Sequence, residues 1–265
     1  MLAHQRHQAI LDAVSVTGTV RVVDLVAQLG VSDMTIRRDI TELAQRGLVE
    51  RVHGGVTMPG TASVHEPGFT AKSTMESEAK RAIAVAAAEL VRPGTSIGIS
   101  AGTTTHALAR LLAPVADLTV ITNSVPVADT LYENGRSDQT VLLTGGQRTR
   151  SFALVGPIAV NTITSLHLDM LFLGTHGFDV ESGLTSPNLM EAQTNLALIR
   201  AARRVVVLAD HTKWGVTALS SIIPLREVDV LITDVGIGAA ARDELSAHID
   251  EVILARPSTS SVVSG

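Results

Sequence analysis

The sequence predicts an α/β chain of two domains, a small helical domain finished by a β-wing and then a Rossmann-like open sheet with helices on both faces. Three observations predict it. Over residues 1–57, apolar residues recur at helical spacing in three short blocks, and the last block runs into β-type segments around His53-Gly54-Gly55. Between Met58 and Glu66 the composition turns to Pro, Gly, Ser and Thr, as in a linker. From Ser96 onward, short apolar runs alternate with helical patterns, the signature of a mostly parallel, doubly covered sheet. A length of 265 residues suits two domains.

In the first domain, Ile10, Leu11 and Val14 mark a helix over His4–Val16. Val22, Val23, Leu25, Val26 and Leu29 mark a second over Val20–Leu29, and Gly30 makes the turn that follows. Ser32 is a good N-cap for a third helix, although no Glu or Gln follows three residues later to complete a capping box. Ile36, Ile40 and Leu43 form its buried stripe, with Met34, Arg38, Thr41 and Gln45 opposite and Thr35 and Arg37 on the flanks. Gly47 ends it. Leu48–Val52 reads as a strand, His53-Gly54-Gly55 as a turn, and Val56-Thr57 as a second strand. Helix, short helix, tight turn, third helix and wing, in that order, make a winged helix-turn-helix. Taken alone, the third helix would equally suit an ordinary solvated surface. Its surroundings favour the major groove, where Arg, Thr and Gln hydrogen-bond base edges. The expected DNA contacts are Ser32, Met34, Thr35, Arg37, Arg38, Thr41 and Gln45, with Arg51, His53 and Gly54 from the wing.

Charge tempers this expectation. The chain carries a formal −5. Residues 1–55 set Arg6, Arg21, Arg37, Arg38, Arg46 and Arg51 against Asp12, Asp24, Asp33, Asp39, Glu42 and Glu50, so the domain is neutral. A positive field must come from where Arg37, Arg38 and Arg51 sit. Few phosphate contacts are available to one copy, which predicts modest affinity per monomer and a homo-oligomer, dimer or tetramer, on a double-stranded operator.

Composition bounds the rest. A hydrophobic share of 45% with 18% charged residues fits a folded protein. Aromatics are only 2%, so the core must be built from Ala, Val, Leu and Ile. No cysteine is present, which excludes disulfides and thiolate metal sites and suits a reducing cytoplasm. Met1–Val14 carries His4, Arg6 and His7 without a long apolar run, unlike a signal peptide. No stretch approaches the roughly 18 apolar residues of a membrane span; Ala82–Val91 is short and contains Glu89.

The second domain opens with a helical pattern from Pro67 to Val91, stopped by Pro93-Gly94. Strands are expected at Ser96–Ser100, Leu118–Thr122, Thr140–Leu143, Leu168–Leu173, Val205–Ala209, Val228–Ile232 and Glu251–Leu254. Helices are expected at Thr103–Leu112, Val125–Glu133, part of Val155–Ile163, Leu189–Ala202 and Gly238–Ala247. The domain plan is then 1–57, a linker 58–73, the sheet domain 74–256 and a Ser-rich tail 257–265.

Open α/β sheets bind ligands at the carboxyl ends of their strands. Here those ends deliver Gly102, Thr103, Thr104 and Thr105, then Asn123 and Ser124, then Gly145 and Gly146, then Gly174, Thr175 and Gly177, and finally Asp210 and Lys213. Glycine, hydroxyls and a helix N-terminus make Gly102–Thr105 a phosphate cradle. In isolation the segment reads first as a helix capped by Thr103, and it lacks the lysine and spacing of a Walker motif; the other strand ends shift the reading toward a cradle. The convergence suits a small, polar, anionic ligand. His176 is attractive as an acid–base group, but a histidine in a loop between glycines is more often merely exposed; no second His, Asp or Glu at ligand spacing supports a metal, and no cofactor is expected.

VSDMTIRRDITELAQRGLVERVHGGV, above all its TIRRD and RVHGG blocks, resembles the N-terminal domain of DeoR-type bacterial transcription regulators, and the likeness continues to about Pro257. The resemblance implies a cytoplasmic repressor rather than an enzyme. Its second domain would sense a phosphorylated sugar or related metabolite and would be similar to ribose-5-phosphate isomerases. It places the phosphate on Gly102–Thr105 and matches Asp169, Glu191 and Lys213 to positions that face the sugar. From the residues themselves, Glu191 could instead complement a helix dipole, and Asp169, in an apolar run, could be a salt-bridge partner. Phe152 stands where the family commonly has a small or acidic residue, which sets the loop Gln147–Leu154 apart. The alternative is an isomerase-like enzyme with Glu191 or Asp169 as base. A winged helix has no use in such an enzyme.

Overall fold

A computed structural model describes residues 3–17, 19–46, 48–52, 54–57 and 69–257. The chain falls into two compact units that divide between residues 65 and 66.

The first unit contains α1 (Ala3–Thr17), β1 (Thr19–Arg21), α2 (Val22–Leu29), α3 (Asp33–Gln45), β2 (Glu50–Val52) and β3 (Gly55–Thr57). Ile10, Val14, Leu25, Ile36, Ile40, Leu43, Val49 and Val56 form one closed core, as the helical spacing requires. Gly30 turns the chain after α2 in a left-handed conformation (φ 65°) that favours glycine. Val20 and Arg21, expected to open the second helix, instead belong to a strand, Thr19–Arg21. It pairs antiparallel with β3, Val20 against Val56, giving a three-stranded wing in the order β1-β3-β2. β-Branched Thr19 and Val20 suit an extended strand better than a helix start. A side chain at Gly55 would put Cβ 2.7 Å from the Val20 carbonyl oxygen, so glycine is what lets these strands meet. The expected stop at Gly47 and the turn residue His53 lie outside the described residues.

The second unit begins with α4 (Phe69–Thr74) and α5 (Ser77–Ala88), followed by β4 (Ser96–Ile99), α6 (Thr103–Leu112), β5 (Thr119–Thr122), α7 (Val125–Asn134) and β6 (Thr140–Leu143). Next come β7 (Gln147–Arg148), β8 (Leu154–Val155), α8 (Pro157–Thr164), β9 (Met170–Gly174), β10 (Gly177–Asp179), β11 (Gly183–Ser186) and α9 (Leu189–Ala201). It closes with β12 (Val205–Leu208), β13 (Ser220–Ile223), β14 (Val230–Asp234), α10 (Ala239–Ser246) and β15 (Glu251–Ala255). Seven strands form one parallel sheet in the order β15-β14-β12-β9-β4-β5-β6. Alternate residues feed opposite faces. Ile97, Ile99, Phe172, Val206 and Leu208 pack toward α5 and α6, while Leu171, Leu173, Val205 and Val207 pack on the side of α9. Short strands buried on both faces explain why these runs are continuously apolar.

Three expectations change. The helical pattern 67–91 is broken at Glu76, whose φ of 49° is left-handed, and α5 ends at Ala88. The break is stitched from within, because the buried Lys80 amine donates to the carbonyls of Lys72 (2.6 Å) and Met75 (2.5 Å). The strand near Leu168 starts only at Met170, leaving Asp169 outside it. Two small antiparallel sheets, β10-β11-β13 and β7-β8, were not foreseen; their strands are short and part polar. The sheet's winding reverses between β4 and β9, so the crevice at their carboxyl ends is the topological switch point.

Candidate functional site

On α3, Ser32 caps the helix as expected, accepting from the Thr35 amide at 3.3 Å while the two hydroxyls bond at 2.8 Å. Met34 is 80% exposed, and it lines one shallow open depression with Arg37, Arg38, Thr41, Glu42 and Gln45. The helix therefore presents the expected face, with qualifications. Arg37 is paired with Asp33 at 2.5 Å, and the Thr41 hydroxyl donates to the Arg37 carbonyl. Arg38 has no ion-pair partner among the described residues, which makes it the freest cation on this face. Gly54 sits in the tight turn of the wing (φ 73°), its carbonyl accepting from Val22. His53 lies outside the described residues, as does the side chain of Arg51.

Sequence reasoning missed what holds α3 in place. Asp39, only 4% exposed, accepts from Arg6 Nε (2.7 Å) and Nη2 (3.0 Å) and lies 3.2 Å from His7 Nε2. Burial pushes the Asp39 carboxyl up, but the hydrogen bonds from Arg6 and His7 outweigh it and hold the group below the ordinary carboxylate range. Arg6 and Asp39 thus cancel within α1–α3, and Arg37 and Asp33 cancel at its surface. The neutral charge count conceals these internal pairings.

At the carboxyl edge of the sheet, β4 runs through Ser100 and Ala101 into Gly102, the N-cap of α6, so Thr103 is not the cap. A Cβ at Gly102 would press on the Thr105 hydroxyl at 3.0 Å. Thr104 and Thr105 are buried and Thr103 is half-buried. Thr105 donates back to the Gly102 carbonyl at 3.0 Å. Gly174 at the end of β9 approaches the same turn, a Cβ there lying 3.9 Å from the Gly102 Cα. The Gly102 and Gly174 backbones thus come close together at the N-terminus of α6, with the Thr105 side chain beside both. Helix N-termini present N–H groups and positive potential to anions.

Several of the expected ligand residues also make hydrogen bonds or close contacts within the fold. Asn123 accepts from the Ala101 amide (2.9 Å) and donates to the Leu154 carbonyl (3.3 Å), tying neighbouring strand ends together. Ser124 is fully buried and caps α7. Gly146 (φ 116°) allows β7 and β8 to meet, since a Cβ would lie 2.4 Å from the Val155 oxygen; Gly145 (φ 73°) precedes it in the turn. Gly177 abuts the Val216 carbonyl, and Thr175 donates to the carbonyls of Gly177 (3.0 Å) and Thr185 (3.3 Å). Asp169 is a correction. It accepts from the Ser96 amide (2.9 Å) and hydroxyl (2.8 Å) where β4 begins, at the amino edge of the sheet, away from the crevice. Glu191, in the first turn of α9, accepts from the Ser151 hydroxyl at 2.5 Å.

A charged cluster gathers at the carboxyl ends of β12 and β14. Lys213 lies on a short 3-10 turn (His211–Lys213) capped by buried Asp210. His211 Nδ1 pairs with Asp234 at 2.9 Å. Burial raises the Asp234 carboxyl, but hydrogen bonds from the His211 ring and from the His211 and Gly236 amides bring it down to about 2. The Asp234 hydrogen bond in turn raises His211. Lys80 is lowered, chiefly by burial, and feels Asp210, Lys213, Glu76 and Lys72. His176 is another correction. Its Nδ1 is shut off from solvent and has no hydrogen-bond partner among the described residues. Burial first, then Lys72 and Lys213, lower its pKa to about 3. Lys72 and Lys80 escaped sequence reading, although Lys80 stands in register with Ile83 and Ala87 on the apolar face of α5, which is a legible anomaly. Across the rim, Phe152 (φ 62°) stacks on Phe69 at 5.4 Å under the Arg148 guanidinium at 4.0 Å, and Phe69 meets the His106 ring edge-on at 5.5 Å. On the other side Trp214 tilts against Phe178 at 5.5 Å. Among the described residues, no group of three or more His, Asp or Glu could hold a metal, and no helix is long and apolar enough to cross a membrane.

The chain matches two family models, a DeoR-like helix-turn-helix domain over residues 6–62 and a DeoR C-terminal sensor domain over residues 75–235. It belongs to the DeoR family. As a member it is a DNA-binding transcriptional regulator with a C-terminal sensor domain. Among its DeoR-type relatives, the HTH-type transcriptional regulator GlpR of Haloferax volcanii is 40% identical over 93% of this chain and 96% of its own. The glycerol-3-phosphate regulon repressor of Escherichia coli K12 is 34% identical over 92% and 96%. A putative aga operon transcriptional repressor of Escherichia coli O157:H7 is 35% identical over 94% and 93%. A D-ribose-5-phosphate isomerase in complex with phospho-erythronic acid resembles this structure over 51% of this chain and 52% of its own, at 16% identity and a TM-score of 0.38.

Proposed function

We propose that this DeoR-family regulator is a cytoplasmic, homo-oligomeric repressor that binds its operator through α3 and the wing and leaves it when a phosphorylated sugar or polyol enters the β4–β9 crevice. One observation carries the effector half. The switch-point crevice is walled by Gly102 and Gly174, opens onto the first turn of α6, and is flanked by Lys72 and Lys213, whose charges bear on the same buried ring. That is an anion site built largely from backbone. The names of the relatives, one of them a glycerol-3-phosphate regulon repressor, support the ligand class. For release, the ligand must bind the DNA-competent and DNA-incompetent states unequally, and its coupling to DNA affinity is reciprocal. A non-enzymatic role fits the carboxylates, since Asp169 is occupied at the opposite edge and Glu191 is held by Ser151.

Fluorescence polarisation on the DNA upstream of the chain's own gene, with and without a panel of sugar and polyol phosphates, tests this. The expectation is preference over random duplex, relieved by at least one compound. Thr104→Ala and Lys213→Ala should keep DNA binding and lose the response. A full response in both variants would refute the site, and turnover of any panel member would refute the non-enzymatic reading.

A further inference from the structure

His176 is unusual for a loop residue. It joins β9 to β10 beside Gly174, the residue that closes on the Gly102 turn, and it lies within the influence of Lys72 and Lys213. Its Nδ1 is buried without a partner among the described residues. Buried polar atoms in native proteins are almost always satisfied, and each exception calls for an account, an absent ligand group among them. The polar groups nearby are spoken for: the Thr175 hydroxyl donates to backbone carbonyls, the Thr185 hydroxyl donates to Gly177, and the Ser100 hydroxyl accepts from the Gly174 amide.

We propose that His176 reads the hydroxyl groups of the effector, its Nδ1 hydrogen-bonding a hydroxyl of a phosphorylated polyol or sugar whose phosphate lies toward Gly102–Thr105. This rests on the crevice being the effector site. The chemistry selects a hydroxyl over the phosphate itself. A neutral imidazole offers either a bare Nδ1 or an Nδ1–H, and a hydroxyl can donate to the first or accept from the second. A phosphate oxygen could serve only the second. Burial, with the charges of Lys72 and Lys213 adding to it, keeps the ring neutral, so the histidine supplies discrimination among the groups attached to the phosphate rather than charge to hold it. A site that hydrogen-bonds a ligand hydroxyl rejects analogues lacking it, because the protein atom is then buried unpaired.

Calorimetric titration of the full chain with inorganic phosphate, propyl phosphate, glycerol 3-phosphate and ribose 5-phosphate tests the proposal. Wild type should bind at least one hydroxylated ester about tenfold more tightly than propyl phosphate. His176→Phe should bring that preference to within about twofold while leaving inorganic and propyl phosphate nearly unchanged. An equal loss on all four probes in His176→Phe, or an intact preference, would overturn the proposal. So would a wild type with no preference for hydroxylated esters. Failure of wild type to bind any phosphate would instead bring down the crevice as effector site. If His176→Phe does not fold, imidazole ¹⁵N shifts in wild type decide: His176 should respond to the hydroxylated ester and not to propyl phosphate, and an identical response would refute the assignment.

Discussion

Arg38 and Asp39 are adjacent in sequence and have opposite tasks. Arg38 projects from the outer face of α3 with no ion-pair partner among the described residues, while Asp39 anchors that helix to α1 through Arg6 and His7. Arg38→Ala should therefore lower the ratio of operator to random-duplex affinity by about tenfold or more, the usual worth of a base contact. Arg37→Ala, which removes a side chain already shared with Asp33, should weaken both duplexes alike and by less. Equal losses on both duplexes from the two variants, by fluorescence polarisation, would contradict that division. Asp39→Asn should destabilise the first unit by about 2 kcal/mol at pH 7, since hydrogen bonds to a charged group are lost. Because the folded carboxyl lies below its unfolded value, its contribution is present above the unfolded pKa of 3.8 and fades as pH falls through the folded one. Urea melts at pH 7 and pH 3 should show the gap between wild type and Asp39→Asn closing. At this scale the exposed face of α3 was legible because helical period alone separates inside from outside. Asp39 was not, because its partners lie 32 and 33 residues away and only the tertiary fold brings them together. Asp169 misled for a related reason: an acid among apolar residues shows that it needs a partner, not at which end of the sheet that partner waits.

The seven parallel strands were readable as elements because each is a short, continuously apolar run between helical patterns. The wing's first strand was not, since Thr19–Arg21 merges into the apolar spacing of α2 and is defined only by its pairing with β3. Gly55→Ala tests that pairing. With Cβ 2.7 Å from the Val20 oxygen, the strands must part, at a cost of about 1–3 kcal/mol to the first unit. Circular dichroism melts should show it, and unchanged stability would mean that the wing tolerates separation of β1 from β3. The Glu76 break between α4 and α5 was likewise hidden, because the stitch is a lysine amine on backbone carbonyls and no propensity scale registers it.

Two compact units, each with a core of its own, predict two unfolding transitions in calorimetry. A phosphate ester that binds the crevice should raise the transition of the second unit and leave that of the first in place. The same unit should also respond to pH in a defined direction. His176, with a folded pKa of about 3, stays neutral while the unfolded chain takes up a proton below about 6.5, so stability should fall as pH drops across that window. His211 acts oppositely: its raised pKa adds stability below its unfolded value, lost as pH rises through the folded one. Scans from pH 4 to 7 should therefore show the second transition climbing, with a shallower slope in His176→Phe. An unaltered slope would remove His176 as the source. Domain order and the crevice's edge of the sheet could be anticipated, because chain order and strand ends determine both. Which rim residues already have partners within the fold could not, because the hydrogen bonds of Asn123 and Thr175 go to groups that only the tertiary structure brings near.

The low aromatic content has an optical consequence. Trp214, the chain's sole tryptophan, follows Lys213 directly and leans on Phe178 at the sensor rim, and the one tyrosine, Tyr132, stands exposed on α7. The helix-turn-helix unit has neither. Excitation at the red edge of the protein's absorption therefore illuminates a single indole next to Lys213, and, if the proposed site is right, its emission colour and lifetime should change on effector binding without label or mutation. DNA engagement, at the other unit, reaches that signal only if the two events are coupled, so one unmodified chromophore separates ligand binding from its transmission.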